Sequence, residues 1–350
     1  MLIAGIRKGA FFILSRKGKS IVKRRSSSAD SYRPGNDMTL EEAYKYFLTL
    51  KKTEGVRQRT MTDYETHFNY FRNWLTEFLP DVLNVSEIST AMIRSYAVYL
   101  SEEKYNDKTD GYGLSPYTVN IRIRFLKTFF NALFREEIVN VNPVNHVKLM
   151  RVDEDTYEPL TDEEIERLLG VPDPKEYAQF RDLCIMYTIL DCGARISEIC
   201  DLEINDIDFK TRAIILPAHK NKNRKPRIMP LSNQVIRMLM ELVQENKTHF
   251  DTNYVFLANC GTRYNPNSFR KRLTMYRDKA RIKKRVSPHG LRHHFCQVFI
   301  RSGGDVFTLA RIVGHQDLST TRKYIQMSNE SIQEQHAMFS PVLRIRKKYK

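Results

Sequence analysis

The sequence has 350 residues, room for two domains of ordinary size, and a 41% hydrophobic fraction that can build real cores. Its 57 Lys and Arg outweigh 41 Asp and Glu, and the net charge of +16 points to a polyanionic partner, nucleic acid before an anionic membrane. No apolar run reaches the roughly 18 residues of a membrane span, and the five cysteines form no Cys-x-x-Cys pair, which argues against disulfides or a zinc site and for reduced thiols in the cytoplasm.

Residues 1–37 read as a basic tail with no acidic residue before Asp30. An apolar stretch at 10–14 is too short for a span, and no small-residue cleavage site follows it, so a signal peptide is not expected. The tail closes on Ser26-Ser27-Ser28 and Pro34-Gly35-Asn36, a linker composition. It is either a solvated arm or an extra phosphate-binding arm. A helical domain is expected over 38–147. Thr39 with Glu42 spells a capping box ahead of Leu40, Ala43, Phe47 and Leu48. A second helix begins near Thr60 and carries Tyr64, Phe68, Phe71 and Leu75, and a third begins near Thr90 with Ile93, Ala97 and Leu100. The polar, glycine-containing stretch 104–114 reads as a loop. Ser115-Pro116 then starts a fourth helix with the stripe Val119, Ile123, Leu126, Phe130 and Leu133. Its flank of Asn120, Arg124, Lys127 and Asn131 is either a solvated face or a grip on a nucleic-acid backbone; on the second reading Arg122, Arg124 and Lys127 are the candidate contacts.

The aperiodic, charged stretch 148–158 reads as a linker, and a second domain is expected over 159–340, followed by a basic tail at 341–350. Thr161 with Glu164 caps a short helix that stops at Gly170, and a longer apolar helix spans about 177–190. Asp191-Cys192-Gly193-Ala194 breaks it before Arg195 starts a new turn. The period then changes to that of three short strands, Ile207-Asp208-Phe209, Ala213-Ile214-Ile215-Leu216 and Arg227-Ile228-Met229. A cationic turn, His219 through Lys225, joins the last two. Helices are expected again over about 233–245, 267–280 and 289–301, then from Asp305 to Gly314, then around Tyr324 from Ser319 or Thr320, and finally over about 329–338. The fold class is therefore mainly α with a small antiparallel sheet: a four-helix domain followed by an α+β domain.

One stretch gathers unusual chemistry. Between Ser287 and Gln326, His289 and Arg292 lie three apart, His315 follows a glycine, and Tyr324 comes nine residues after His315. Taken alone, histidines and tyrosines at helical spacing are ordinary core or surface residues. With Arg195 and the turn lysines they form a set suited to a phosphodiester, with fixed cations for the phosphoryl oxygens and a phenol as nucleophile.

This ordered set resembles the tyrosine recombinase, or phage integrase, family. Gly193-Ala194-Arg195-Ile196-Ser197-Glu198 looks like its first arginine box, Pro288-His289-Gly290-Leu291-Arg292 like its His-x-x-Arg box, and the segment from Val313 to Tyr324 like its terminal histidine and nucleophile box. The likeness runs over nearly all of 39–340 and implies an N-terminal core-binding domain and a C-terminal catalytic domain. It implies that Arg195, His289, Arg292 and His315 surround the phosphate and that Tyr324 bonds to DNA as an O-(3′-phospho-DNA)-tyrosine, without metal, ATP or other cofactor. Glu198 matches an acidic position of the family that orients catalytic neighbours; otherwise it is a helix-surface carboxylate. A turn lysine is expected to protonate the leaving oxygen. Lys222 stands at the expected spacing, eight residues before Pro230, and Lys220 is the alternative, closer to the strand end. His293 and His294 read as structural. The implied partner is double-stranded DNA at specific sites, bound by a homotetramer that exchanges C-terminal segments, about 329–340, in the cytoplasm on the nucleoid; an accessory directionality factor is a further candidate partner. The long basic tail favours a mobile-element integrase over an Xer-type resolvase. The readings from other classes are a non-catalytic integrase-fold regulator and a type IB topoisomerase.

Overall fold

Thr39 opens the first helix with the reciprocal cap expected of its pairing with Glu42: the Glu42 N–H donates to the Thr39 hydroxyl at 3.3 Å, and the Thr39 N–H donates to the Glu42 carboxylate at 3.0 Å. The computed structural model describes residues 38–107, 109–152, 158–221, 225–314 and the single residue His336. Close contacts divide the chain into two units, 1–155 and 156–350. Among the described residues, no helix is long and apolar enough to cross a membrane.

The first unit holds α1 (Leu40–Thr53), α2 (Gln58–Phe78), α3 (Thr90–Val98) and α4 (Pro116–Arg135). Its core is aromatic: Phe47, Phe68, Phe71, Phe129 and Phe130 are all fully buried. Tyr44 stacks on Phe68 at 3.7 Å, and Phe47 meets Phe129 edge-on at 5.3 Å. The expected stripe of α4 is buried, and Phe125 and Phe129 widen it. Truncating one such ring to alanine costs about 3–5 kcal/mol in a packed core.

Two expectations for this unit change. The stretch between α3 and α4 is not all loop. It begins with a wide helical turn (Tyr99–Glu103) and folds into a small hairpin, β1 (Tyr105–Asn106) against β2 (Gly111–Tyr112). Edge-on packing of Tyr105 on Tyr112 at 5.6 Å and a left-handed Asp110 (φ 50°) close that hairpin, and neither shows as an apolar pattern. The second change is at Asn120, which is not on an open flank. It is buried, and its side-chain amide accepts from Met150 N and donates to Met150 O, both at 2.8 Å, pinning the outgoing chain to α4.

The second unit is built around α6 (Tyr177–Cys192), preceded by α5 (Asp162–Leu169). Phe180, Leu183, Cys184, Ile185, Met186, Ile189 and Cys192 bury almost every side of α6, as a helix apolar all round requires. A short α7 (Ile196–Cys200) follows, then the antiparallel strands β3 (Ile207–Asp208), β4 (Ala213–Leu216) and β5 (Arg227–Pro230), in that order across the sheet. Ala213 pairs with Pro230 and Leu216 with Arg227. Then come α8 (Asn233–His249), α9 (Pro266–Lys279), α10 (Pro288–Arg301) and α11 (Val306–Val313). Both α8 and α10 pack on α6, and α11 packs on β5 and α10. The fold class is thus the one expected. The helices expected around Tyr324 and over 329–338, both terminal tails and linker residues 153–157 lie outside the described residues.

Candidate active site

Arg195 is placed by a chain reversal. α6 ends on Gly193 in the left-handed region (φ 64°), where a Cβ would sit 2.5 Å from the Phe295 ring. Two residues later Arg195, in extended conformation, becomes the N-cap of α7. Glu198, in the first turn, closes the cap and the ion pair with one carboxylate. Oε2 accepts the Arg195 backbone N–H at 2.8 Å, and Oε1 accepts Nη1 at 2.8 Å. Glu198 is buried, so the bland reading of a surface carboxylate does not hold.

His289 and Arg292 stand in the first turns of α10, which Ser287 caps by accepting the Gly290 N–H at 3.0 Å. Arg292 is 3% exposed. Its Nη1 donates to the carbonyl of Gly193 at 2.6 Å and its Nη2 to that of Val313 at 2.8 Å. Arg195 Nη2 donates to the Gly314 carbonyl at 3.4 Å. Arg195, Ser197, His289 and Arg292 line one pocket of about 390 Å³, together with Arg270 and Arg285. The N-terminus of α10 opens onto it, and such an end presents free N–H groups to an anion.

The electrostatics follow from this crowding. Burial first, and then Arg195, pull the Arg292 guanidinium down to about 10, so it stays charged at neutral pH. His289 faces the open pocket, yet the protein mass behind it, then Arg292 and Arg195, lower its pKa below the ordinary value. It is a neutral imidazole at pH 7, able to accept a proton. For Glu198, burial works to raise the pKa, but Arg227 and Arg195 outweigh it and hold the carboxyl ionised.

Of the expected site residues, the structure brings Arg195, Glu198, His289 and Arg292 together. Lys222, His315 and Tyr324 lie outside the described residues. Lys220 is described and is occupied: its ammonium pairs with Asp206 at 2.6 Å and Glu203 at 2.9 Å. In the first unit, Arg122 lies over the Tyr70 ring at 3.9 Å, Lys127 donates to the Val144 carbonyl at 3.3 Å, and Arg124 is exposed. His294 is structural, bonded through Nδ1 to the Leu160 carbonyl at 3.2 Å. The sequence reading missed Arg227, which lies behind the pocket, and Arg270 and Arg285 on its wall. Arg227 left one trace: it alternates with Met229 along β5, so a charge sits on the buried face of a strand. A larger groove of about 490 Å³, lined by Ile165, Leu190, Val298 and Phe299 among others, lacks this cationic chemistry.

Comparison with known proteins decides the family. The model described as the phage integrase family matches residues 158–331, and that of the phage integrase SAM-like domain matches 38–149. The chain belongs to the phage integrase family, the tyrosine recombinases. Among curated relatives, tyrosine recombinase XerC of Myxococcus xanthus is 28% identical over 297 residues, 83% of this chain and 94% of that one. Among solved structures, the Tn1549 transposon integrase in complex with a circular-intermediate DNA aligns with a TM-score of 0.66 at 20% identity, covering 86% of this chain and 99% of that one. A lambda integrase tetramer bound to a Holliday junction aligns with a TM-score of 0.62 at 14% identity, covering 83% of this chain and 78% of that one. These likenesses carry the fold. The three family boxes fall inside the matched 158–331; the first two line the pocket, and Val313 and Gly314 of the third accept from Arg292 and Arg195.

Proposed function

We propose that this tyrosine recombinase cuts and rejoins DNA at specific sites through a 3′-phosphotyrosyl intermediate on Tyr324. The observation that carries the reading is the pair of guanidiniums, Arg195 and Arg292, locked onto backbone carbonyls around one pocket with a neutral His289. Bidentate, always-charged donors fixed before substrate arrives suit the charge that grows on the non-bridging oxygens in the transition state. Tyr324 Oη attacks phosphorus, its proton passes to His289, the bond from phosphorus to the 5′-oxygen breaks, and Lys222 protonates that oxygen. His315 donates to a phosphoryl oxygen. A free phenol titrates near 10, so phenoxide leaves far more easily than an alkoxide. A 5′-hydroxyl of another strand therefore displaces it and restores the phosphodiester. The engaged ammonium of Lys220 supports Lys222 as the proton donor.

Residues 38–147 are assigned to core DNA binding and 159–340 to the chemistry. The active assembly is a homotetramer on two duplexes, acting on the nucleoid in the cytoplasm. The open apolar groove at Ile165, Leu190, Val298 and Phe299 supports an exchanged segment from about 329–340 of a neighbouring copy. An integrase of a mobile element, working with a directionality factor, suits a chain whose 37-residue basic tail extends it beyond the matched domains. The names of the curated relatives favour a second reading, an Xer-type resolvase. A non-catalytic regulator does not fit relatives that are recombinases.

The test uses the full chain with nicked duplexes drawn from the gene's flanking junctions and from a chromosomal dimer-resolution site. Denaturation should leave a covalent protein–DNA adduct on one of these and none with Tyr324→Phe. No adduct on any of them, or an adduct unchanged in Tyr324→Phe, overturns the reading. Adducts on unrelated plasmid of any sequence would instead mark a topoisomerase.

A further inference from the structure

Arg227 is 4% exposed and does not line the pocket, yet it touches the groups that shape it. From β5 its Nη2 donates to Glu198 Oε2 at 2.5 Å, and its Nη1 to the Val313 carbonyl at 2.8 Å. Glu198 is therefore shared: Oε1 pairs with the Arg195 guanidinium, while Oε2 takes both the Arg195 backbone N–H and the Arg227 guanidinium. The Val313 carbonyl is also shared, between Arg227 and Arg292. One buried side chain thus braces both phosphate-facing arginines, each through an intermediary.

Charge gives this arrangement its meaning. If Glu198 faced Arg195 alone, the pair would be neutral, and the pocket would rely on Arg292. With Arg227 as a second cation on the same carboxylate, the cluster of Arg195, Arg227, Arg292 and Glu198 keeps a net charge of +2. The backbone is shaped around the same side chain. Gly314 lies in the left-handed region (φ 69°), and a Cβ there would stand 2.6 Å from Arg227 Nη1. In sequence Gly314 directly precedes His315.

We propose that Arg227 is a positioning residue for phosphoryl transfer: by offsetting the charge of Glu198 and clamping the Val313 carbonyl, it preserves the net positive charge of the cluster and keeps Arg195 and Arg292 correctly aimed. The proposal rests on the recombinase reading above, and its test separates the two. Wild type, Arg227→Lys and Arg227→Met are compared on a cleavable nicked duplex for thermal stability, DNA affinity and single-turnover cleavage at saturating protein. We expect Arg227→Met to bind DNA within about threefold of wild type and to cleave about a hundredfold more slowly or worse, because only transition-state stabilisation is lost. Arg227→Lys keeps the charge but cannot grip both oxygens in one plane, so we expect cleavage about tenfold below wild type. If Arg227→Met proves too unstable to purify, Arg227→Lys decides. Wild-type cleavage by the lysine variant, or a cleavage loss in either variant no larger than its loss of DNA affinity, overturns the proposal. A wild-type protein that forms no Tyr324-dependent adduct overturns the parent reading instead.

Discussion

At the residue scale, the proposed chemistry requires that the cations of the pocket do not silence its base. Burial, Arg292 and Arg195 all act on His289 in the same direction, toward the neutral imidazole, and its pKa is lowered from 6.5. A general base is lost as pH falls through its own pKa, so the depressed value moves the loss to more acid conditions. We therefore expect the acid limb of adduct formation, measured with protein well below saturation, to have its midpoint below pH 6.5. A midpoint at or above 6.5 would remove His289 as the base. Arg195, His289 and Arg292 were legible in the sequence because each sits in a short box with its neighbours. Arg227 was not, because its meaning lies in contacts 29 residues away at Glu198 and 86 away at Val313. A strand pattern reports that a face is buried, not what a buried charge there is bonded to.

At the element scale, the helices announce themselves through their caps. Thr39, Thr161 and Asp305 each accept a first-turn N–H as expected, and Ser115 and Ser287 do the same. The β1–β2 hairpin did not, being a two-residue pairing held by one tyrosine pair. The turn joining β4 to β5 combines both cases. Its strands follow from alternation, but the roles of its lysines depend on partners distant in sequence. Lys220 is tied to Asp206 and Glu203, in the stretch just before β3, and Asn221 donates to the Lys225 carbonyl at 2.7 Å, so the base of the turn is anchored. We expect Lys222→Ala to lower single-turnover cleavage by about a hundredfold or more, as loss of a general acid does, and Lys220→Ala to stay within about tenfold of wild type. Near-normal cleavage by Lys222→Ala, with a collapse in Lys220→Ala, would reverse the assignment.

At the scale of the whole molecule, the charge of +16 is uneven: residues 1–37 carry +7 and residues 156–350 carry +11, while residues 38–155 carry −2. Each Lys or Arg that neutralises a DNA phosphate releases counterions, so it adds to the slope of affinity against salt. Residues 1–30 of the tail carry Arg7, Lys8, Arg16, Lys17, Lys19, Lys23, Arg24 and Arg25. Deleting residues 1–30 should weaken binding to a site-bearing duplex and flatten the plot of log affinity against log salt. An unchanged slope would mean that the tail does not touch DNA. The fold class was legible because each unit encloses its own core, and each core writes its period into its own stretch of sequence.

The carbonyls that hold Arg292 belong to Gly193 and Val313, at the C-terminal ends of α6 and α11. Aligned peptide dipoles leave such an end with about half a negative charge. Among the described residues, Arg292 is thus held by two helix ends and not by a carboxylate of its own. An arriving phosphate need not pull it out of an ion pair. On the proposed reaction, the charge of this guanidinium is then available to the phosphoryl oxygens, and the pocket wall is poled for an anion.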